Sequence, residues 1–247
     1  MRLAVISDIH GNMQALDAVL EDIEKEKCDR IFCLGDIAMA GPEPVKAIEK
    51  IKSIYEEGKM ELIQGNTDEM IVEYTLEIIK KVGSAFPIMS KALEDDIKII
   101  PENLKQFLND LPKQKEIIVE GVKILLVHGS PRKNNENIMP DLPVEQIEEM
   151  IKNTDADVIF CGHTHIPCGY QTNTKQTVVN DGSVGRPFTD DPKACYVVAE
   201  FANGNFTVKH KFIDYDKKKA SEILAKRDFE GADKLAQMLI NPELRHI

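Results

Sequence analysis

A carboxylate and an imidazole two residues apart close the first apolar run of the chain, Leu3-Ala4-Val5-Ile6-Ser7-Asp8-Ile9-His10. Both types ligate metals, and a buried strand that stops on them presents them at its carboxyl end. In extended backbone this spacing puts Asp8 and His10 on the same side of the chain. The pattern recurs. Arg30-Ile31-Phe32-Cys33-Leu34 ends in Gly35-Asp36, and Met60 to Gln64 ends in Gly65-Asn66-Thr67-Asp68. Val122 to Val127 runs into His128-Gly129-Ser130, and Asp157-Val158-Ile159-Phe160-Cys161 delivers Gly162-His163-Thr164-His165. Four of the six histidines thus stand at strand ends, in the company of Asp8, Asp36 and Asn66. Seven nitrogen and oxygen donors are too many for one zinc and suit two divalent ions sharing a bridging carboxylate. Mn, Fe and Zn all accept such ligation, and no thiolate is required.

The elements that must position these residues alternate in type. Met13, Leu16, Leu20 and Ile23 recur at helical spacing and predict a helix over 12–27. Pro42 and Pro44 open a second helix with Val45, Ile48, Ile51 and Tyr55 on its inner face. Strand, loop and helix in repetition are the signature of a parallel α/β sheet with right-handed crossovers. In such a sheet the carboxyl ends converge on one edge, so residues far apart in sequence meet there. Residues 69–111 break the rhythm with helical patterns predicted to be interrupted near Gly83 and Pro87. These helices either cover the sheet or form a lid. Beyond Pro112 the chain turns β-rich, with a hairpin about Gly121 and a polar loop over 133–137. A helix marked by Val144, Ile147 and Met150 follows, then strands near 168–172, 176–180, 194–201 and 205–213. Asn203-Gly204 joins the last two, a strong hairpin signal.

Composition narrows the function. The chain has 247 residues, 43% hydrophobic and 30% charged, as soluble globular proteins do. A formal charge of −11 argues against a nucleic-acid surface, which needs Lys and Arg against phosphates. It leaves a small phosphorylated substrate open, because bound cations would dominate the local field. No apolar run approaches the ~20 residues that span a membrane. The first apolar run also lacks a signal-peptide cleavage site, so a cytoplasmic location is expected. Five cysteines without a Cys-x-x-Cys pair read as reduced thiols, and Cys161 and Cys168 as bystanders of the histidine stretch. The oligomeric state is not specified.

Taken in order, Asp8-x-His10, Gly35-Asp36, Gly65-Asn66, His128 and Gly162-His163-x-His165 resemble the calcineurin-like metallophosphoesterase family. Gly182-Ser183-Val184-Gly185-Arg186-Pro187, followed by Asp191-Pro192 and a strand at Ala194, resembles a late loop of its compact prokaryotic phosphodiesterases. The resemblance runs from residue 1 to about 215. It implies an α/β fold, a four-layer αββα sandwich with a dinuclear metal site at the strand carboxyl ends. It also implies one metallophosphoesterase domain over 1–247, with a helical insertion at 69–111 and C-terminal helices at 216–240. Asp8, His10 and His165 would bind one metal, Asn66, His128 and His163 the other, and Asp36 would bridge them through its carboxylate. A hydroxide between the metals would then attack phosphorus in line. Asp36, Asn66 and His128 are the candidate catalytic residues, and Asn12, Asn66 and Arg186 the candidates for substrate contact. Asp68 is expected one step behind, orienting a ligand histidine.

One position departs from the family pattern. Thr67 stands where many members carry the histidine that protonates the leaving oxygen, and its hydroxyl cannot act as a general acid. The expected substrate is therefore a phosphodiester or nucleotide-type ester. A phosphomonoester or a dinucleoside polyphosphate is the alternative within the same chemistry. A non-catalytic interaction module on the same fold is the alternative outside it, and such a protein should have lost ligands. Several residues have simpler readings. Asn12 suits a helix cap as well as a substrate contact, and Arg186 a turn as well as a phosphate. His210 belongs to one face of an alternating strand, His246 to the tail, and Lys217-Lys218-Lys219 to a solvated helix start.

Overall fold

The computed structural model describes residues 1–241. Leu3 and Val5 of β1 (Arg2–Ile6) enter one apolar layer and Ala4 and Ile6 another, so the strand is buried on both faces. β2 (Arg30–Cys33) pairs parallel to β1, and β3 (Met60–Leu62) parallel to β2. On the other side of β1 lie β9 (Ala194–Ala202) and β10 (Asn205–Ile213), both antiparallel to their neighbours, giving the order β10-β9-β1-β2-β3. The second sheet combines β4 (Gln114–Val119), β5 (Val122–Val127), β6 (Val158–Cys161), β7 (Cys168–Gln171) and β8 (Thr177–Asn180), in the order β4-β5-β6-β8-β7. Its three central strands, β5, β6 and β8, are parallel. Asn203 (φ 51°) and Gly204 (φ 74°) make the turn between β9 and β10 with left-handed backbone, as a two-residue hairpin requires.

The two sheets meet through Phe32, Leu34, Phe160, Val179 and Phe201. The outer face of the first sheet is covered by α1 (Met13–Lys25), α2 (Pro44–Glu56), α8 (Lys217–Leu224) and α9 (Ala232–Ile240), whose apolar faces join Ala4, Ile6 and Cys33. α7 (Val144–Ile151) covers the second through Ile147, Met150 and Ile151 against Leu125 and Ile159. The architecture is a mixed α/β, four-layer αββα sandwich. It places the carboxyl ends of β1, β2, β3, β5 and β6 around one rim. Among the described residues, no helix is long and apolar enough to cross a membrane. His246 and the end of the expected 1–247 span lie outside the described residues.

The segment between β3 and β4, which holds the 69–111 stretch, forms α3 (Asn66–Val72), α4 (Leu76–Ala85), α5 (Pro87–Ile99) and α6 (Glu102–Asn109). It both covers and projects: Ile71, Leu93, Leu104 and Leu108 join the core, whereas α4 buries no side chain. Gly83 does not interrupt a helix, contrary to the sequence pattern. It lies within α4, where an added Cβ would stand 3.2 Å from Ser90 Oγ, so its smallness serves the approach of α5. The break falls at Phe86 (φ −140°, ψ 78°), because Pro87 excludes the helical conformation from the residue before it.

Candidate active site

Backbone geometry at the strand ends differs from the expectation. Asp8 (φ 52°) and His10 (φ 46°) are left-handed, not extended, and so are Asp36 (φ 53°), His163 (φ 68°) and His165 (φ 60°). For non-glycine residues this costs roughly 1 kcal/mol or more each, and such strain gathers at functional sites. Neighbouring loops hold it in place. The Asp8, His10 and Gly11 N–H groups donate to the carbonyls of Gly35, Asp36 and Ile37 at 3.1, 3.0 and 2.9 Å. From the other side, the Val184 and Gly185 N–H groups donate to Ser7 and Asp8 carbonyls at 3.0 and 2.9 Å. Only glycine fits at 185, where a Cβ would lie 1.7 Å from the Ile9 carbonyl oxygen.

On this frame the side chains converge. Asp8, His10 and His165 form one tight group of potential ligand atoms, and Asp8, Asp36 and His128 another. Asp8 Oδ1 is 3.2 Å from His165 Nε2, 3.8 Å from His10 Nε2 and 3.9 Å from His128 Nε2. Asp36 faces both groups, with Oδ2 3.7 Å from His10 Nε2 and Oδ1 3.4 Å from His128 Nε2. Asn66, the first residue of α3, places Oδ1 3.0 Å from His128 Nε2. His163 stands edge-on to His128 with ring centroids 5.3 Å apart, and its own N–H donates to Asp8 Oδ2 at 2.9 Å. It lies outside the two tight groups.

Three imidazoles are oriented by main-chain oxygens. His10, His128 and His165 each direct Nδ1 at a carbonyl, of Met39 (3.0 Å), Leu34 (2.8 Å) and Arg186 (2.6 Å). A carbonyl can only accept, so each Nδ1 carries a hydrogen, and each ring in its neutral form turns its Nε2 lone pair into the site. Asp8 Oδ1 is buried among those lone pairs with no hydrogen-bond donor. A charged oxygen and several nitrogen lone pairs facing one another without donors repel, and a cation between them reverses the sign. The residues therefore fit divalent metal binding.

The titration behaviour agrees. Burial works to raise Asp8, but His165, His10 and His128 overcome it and hold the carboxyl well below its usual range. Burial likewise opposes the ionised form of Asp36, and His128 and His10 pull it down. At His128 burial opposes the charge, yet Asp36 and Asp8 raise it to about 10. His163 is depressed to about 4, by burial and then by the charge on His128. Burial also lowers His165, against Asp8. The two carboxylates thus draw positive charge into the site while His163 and His165 stay neutral.

Asp68 is fully buried and touches no histidine ring. Its Oδ2 accepts from the N–H groups of Asp36 (2.8 Å) and Gly65 (3.0 Å), and Oδ1 from Ile37 (3.0 Å) and Ala38 (3.4 Å). It fastens the Asp36 loop to the start of α3. Burial and then the Asp36 charge raise it to about 7, against the N–H bonds of Gly65 and Ile37. Asp68→Ala strands these donors in the interior and is expected to lower stability by about 2–3 kcal/mol in urea unfolding. Asp68→Asn, which keeps one acceptor oxygen, should lose less.

Asn12 is fully buried and both ends of its amide are engaged: Oδ1 accepts from the Ala15 N–H at 3.2 Å and Nδ2 donates to the Gly185 carbonyl at 2.8 Å. It caps α1, the simpler of the two readings of this residue. Arg186 offers its carbonyl to His165, and its Nη1 lies 3.2 Å from Met89 Sδ. Thr67 Oγ1 donates to the Ala38 carbonyl at 3.2 Å, and its N–H to Asp36 Oδ1 at 2.8 Å. His210 Nε2 donates to the Asn180 carbonyl at 2.7 Å, a structural contact.

Two residues escaped the sequence reading. Ser7 Oγ lies 2.5 Å from Asp8 Oδ2 and 2.7 Å from Asp181 Oδ1. One hydroxyl proton cannot serve two carboxylates, so the chain of bonds closes when Asp181 carries a proton, donating to Ser7, which donates to Asp8. Burial and the Asp8 charge do raise Asp181 well above the usual carboxylate range. The available signal was the end of β8, where Val178-Val179 gives way to Asn180-Asp181-Gly182, one more apolar run stopping on polar residues.

Beside the ligand cluster opens a cleft of about 570 Å³, walled by Asn66, Thr67 and Met39 on one side and by α4 and Met89 on the other. A profile of the calcineurin-like phosphoesterase superfamily domain matches residues 1–204. The uncharacterized protein MJ0912 of Methanocaldococcus jannaschii is 32% identical over 241 residues, covering 91% of this chain and 92% of that protein. Phosphodiesterase YfcE of Escherichia coli is 24% identical over 200 residues, 78% of this chain and 84% of its own. Among solved structures, the hypothetical protein PH1004 from Pyrococcus horikoshii OT3 superposes with a TM-score of 0.87 at 24% identity over 98% of both chains. A metallophosphoesterase from Sphaerobacter thermophilus does so with a TM-score of 0.77 at 22% identity, covering 98% of this chain and 100% of that one. The structural likenesses show the fold; the profile and the relative at 32% identity show the family. The chain belongs to the calcineurin-like phosphoesterase superfamily and is a phosphoric ester hydrolase.

Proposed function

We propose that this protein is a metal-dependent phosphoesterase acting on phosphodiester or nucleotide-type substrates. The observation that carries the reading is the donorless Oδ1 of Asp8, enclosed by the Nε2 atoms of three histidines whose Nδ1 atoms are tied to carbonyls. Asp8, His10 and His165 would hold one ion, Asn66, His128 and His163 the other, with Asp36 facing both. Two divalent ions of the Mn, Fe or Zn class would supply Lewis-acid charge for the phosphate oxygens and a hydroxide nucleophile near neutral pH. The carbonyl-bound Nδ1 atoms keep the imidazoles from turning as a substrate enters, and the Ser7–Asp181 pair keeps Asp8 anchored through its second oxygen.

Thr67 bears on the leaving group. Its hydroxyl proton is committed to the Ala38 carbonyl, so it does not reach a departing oxygen. Positioned general acids contribute roughly 10²–10⁴-fold, most for poor leaving groups. With Mn²⁺ supplied, bis-p-nitrophenyl phosphate is expected to be hydrolysed with kcat/KM at least about 10²-fold above glycerol phosphate. Asp36→Ala should abolish the turnover. Equal rates on the two esters would overturn the diester preference, and unchanged turnover in Asp36→Ala would overturn the site.

A further inference from the structure

The geometry points to the cleft beside the ligand cluster as a binding site for an apolar arm of the substrate, a hydrocarbon or aryl group carried on the reacting phosphate. This rests on the phosphoesterase reading. The cleft and the candidate ligands share Asn66, so a phosphate held at the cluster has its substituent at the cleft mouth. About 570 Å³ lies within the range that seats whole small molecules. Asn66 and Thr67 line it next to the site, and beyond them Met39, Met70, Ile78, Val82, Phe86 and Met89 make most of the wall apolar, with Glu73 and Lys81 among them. Of its carboxylates, Glu69 is tied up by Lys113 and Asn134.

The far wall is the telling part. α4 presents Ile78, Val82 and Ala85 to the cleft at helical spacing, and although Ile78 and Ile79 also reach the core half-buried, among the described residues it is the helix with no buried side chain. Phe86, where α4 ends, is 65% exposed. An amphipathic helix is ordinarily held by burying its apolar face. Here that face borders a cleft leading to the reaction centre, and continuity with the centre identifies the occupant as substrate. The methionines add a wall that adapts to different hydrocarbon shapes.

The test uses phosphonates, which bear a single arm and are not hydrolysed. Binding of methylphosphonate and hexylphosphonate to the Mn²⁺-loaded protein is measured by calorimetry, with inhibition of diester turnover as a second readout. Each methylene removed from water is worth up to about fourfold. For an open cleft, hexylphosphonate is expected to bind about 30-fold tighter than methylphosphonate. Phe86→Ser and Ala85→Glu, both at exposed positions, should cut that preference to about 5-fold or less while leaving methylphosphonate affinity unchanged. Equal affinities for the two phosphonates, or a preference untouched by both variants, would overturn the assignment. So would a dimer dissolved by Phe86→Ser together with chain-length-independent binding, since the face would then seat a second copy. Chain-length-dependent binding with no turnover of any phosphate ester would sink the phosphoesterase reading and leave the cleft assignment standing.

Discussion

Asp8→Asn is expected to keep the fold but lose metal binding and almost all activity. The two oxygens of Asp8 do different work. Oδ2 accepts from Ser7 Oγ at 2.5 Å and from the His163 N–H at 2.9 Å, so an asparagine must place its own oxygen there. Its NH₂ then occupies the position of Oδ1, which in the wild type is a buried acceptor without a donor. That NH₂ faces the Nε2 atoms of His165 and His10, at 3.2 and 3.8 Å from the present oxygen, and can donate to them. The amide keeps both positions occupied, but the negative charge that His165, His10 and His128 stabilise is gone, so the metal-free variant unfolds at a urea concentration no higher than the wild type's. The same change removes the charge that holds a cation. Metal affinity should fall by more than the roughly 10–100-fold typical of changes outside the ligand shell, and turnover with it. Adding Mn²⁺ should raise the melting temperature of the wild type and leave that of the variant where it was. A variant whose melting temperature rose with Mn²⁺ as the wild type's does would show that Asp8 does not hold the cation.

The second large effect lies beyond the residues matched by the family profile. Arg227, in the loop between α8 and α9, donates through Nη1 to the Gly41 carbonyl at 2.8 Å and through Nη2 to Asp95 at 2.6 Å, with Asp96 at 2.7 Å. Asp96 in turn accepts from the Ala40 N–H at 2.8 Å. Residues 39–41 are the loop whose Met39 carbonyl orients His10, and Met39 (φ 84°) and Ala40 (φ 60°) are both held left-handed. Arg227→Met leaves two buried carboxylates without their cation, a loss of about 3–5 kcal/mol. Its pH dependence has a definite sign. Burial pushes Asp96 up to about 6 from an ordinary 3.8, and Arg227 holds it from going higher. In the wild type the folded state therefore takes up the Asp96 proton more readily than the unfolded chain. That contribution is full below about pH 4 and is lost as pH rises through 6. Without Arg227 the folded pKa rises further, so the penalty is full at pH 8 and shrinks toward pH 5 as Asp96 becomes neutral. Urea unfolding at both pH values measures it. Metal affinity should also drop by about 10-fold as the support of His10 loosens. A penalty independent of pH would mean that Asp96 is not the group left exposed to the loss.

The candidate ligands were legible because they obey a short-range rule. Each sits within four residues of an apolar run, and parallel strands bring such ends together whatever the intervening sequence. The sheet order within each layer followed less directly, since β9 and β10 join the first sheet from the far end of the chain. What stayed hidden depends on partners chosen by the tertiary fold. Ser7 and Asp181 are 174 positions apart, and Asp95 and Arg227 are 132 apart. The carbonyls that fix the imidazoles belong to Leu34, Met39 and Arg186, and any residue has a carbonyl, so no side-chain pattern announces them. The left-handed turns at Asp8 and His10 were invisible for a related reason. Alternation argues from extended geometry, and these loops are bent by hydrogen bonds to the Gly35 and Asp36 carbonyls and from the Gly185 N–H. Gly83 misled because glycine marks both helix ends and close helix contacts.

The way the rim divides between layers has a mechanical consequence. Asp8, His10, Asp36 and Asn66 follow strands of the first sheet, and His128, His163 and His165 follow strands of the second. Among the described residues no ladder of backbone hydrogen bonds joins the two sheets; they adhere through side chains such as Phe32, Phe160 and Phe201, a contact that resists separation but not sliding. A cation gripped from both sides acts as a rivet through the two layers. Held there, it would fix their relative shear at the rim, so that the alignment of the candidate site and the rigidity of the sandwich would become one property.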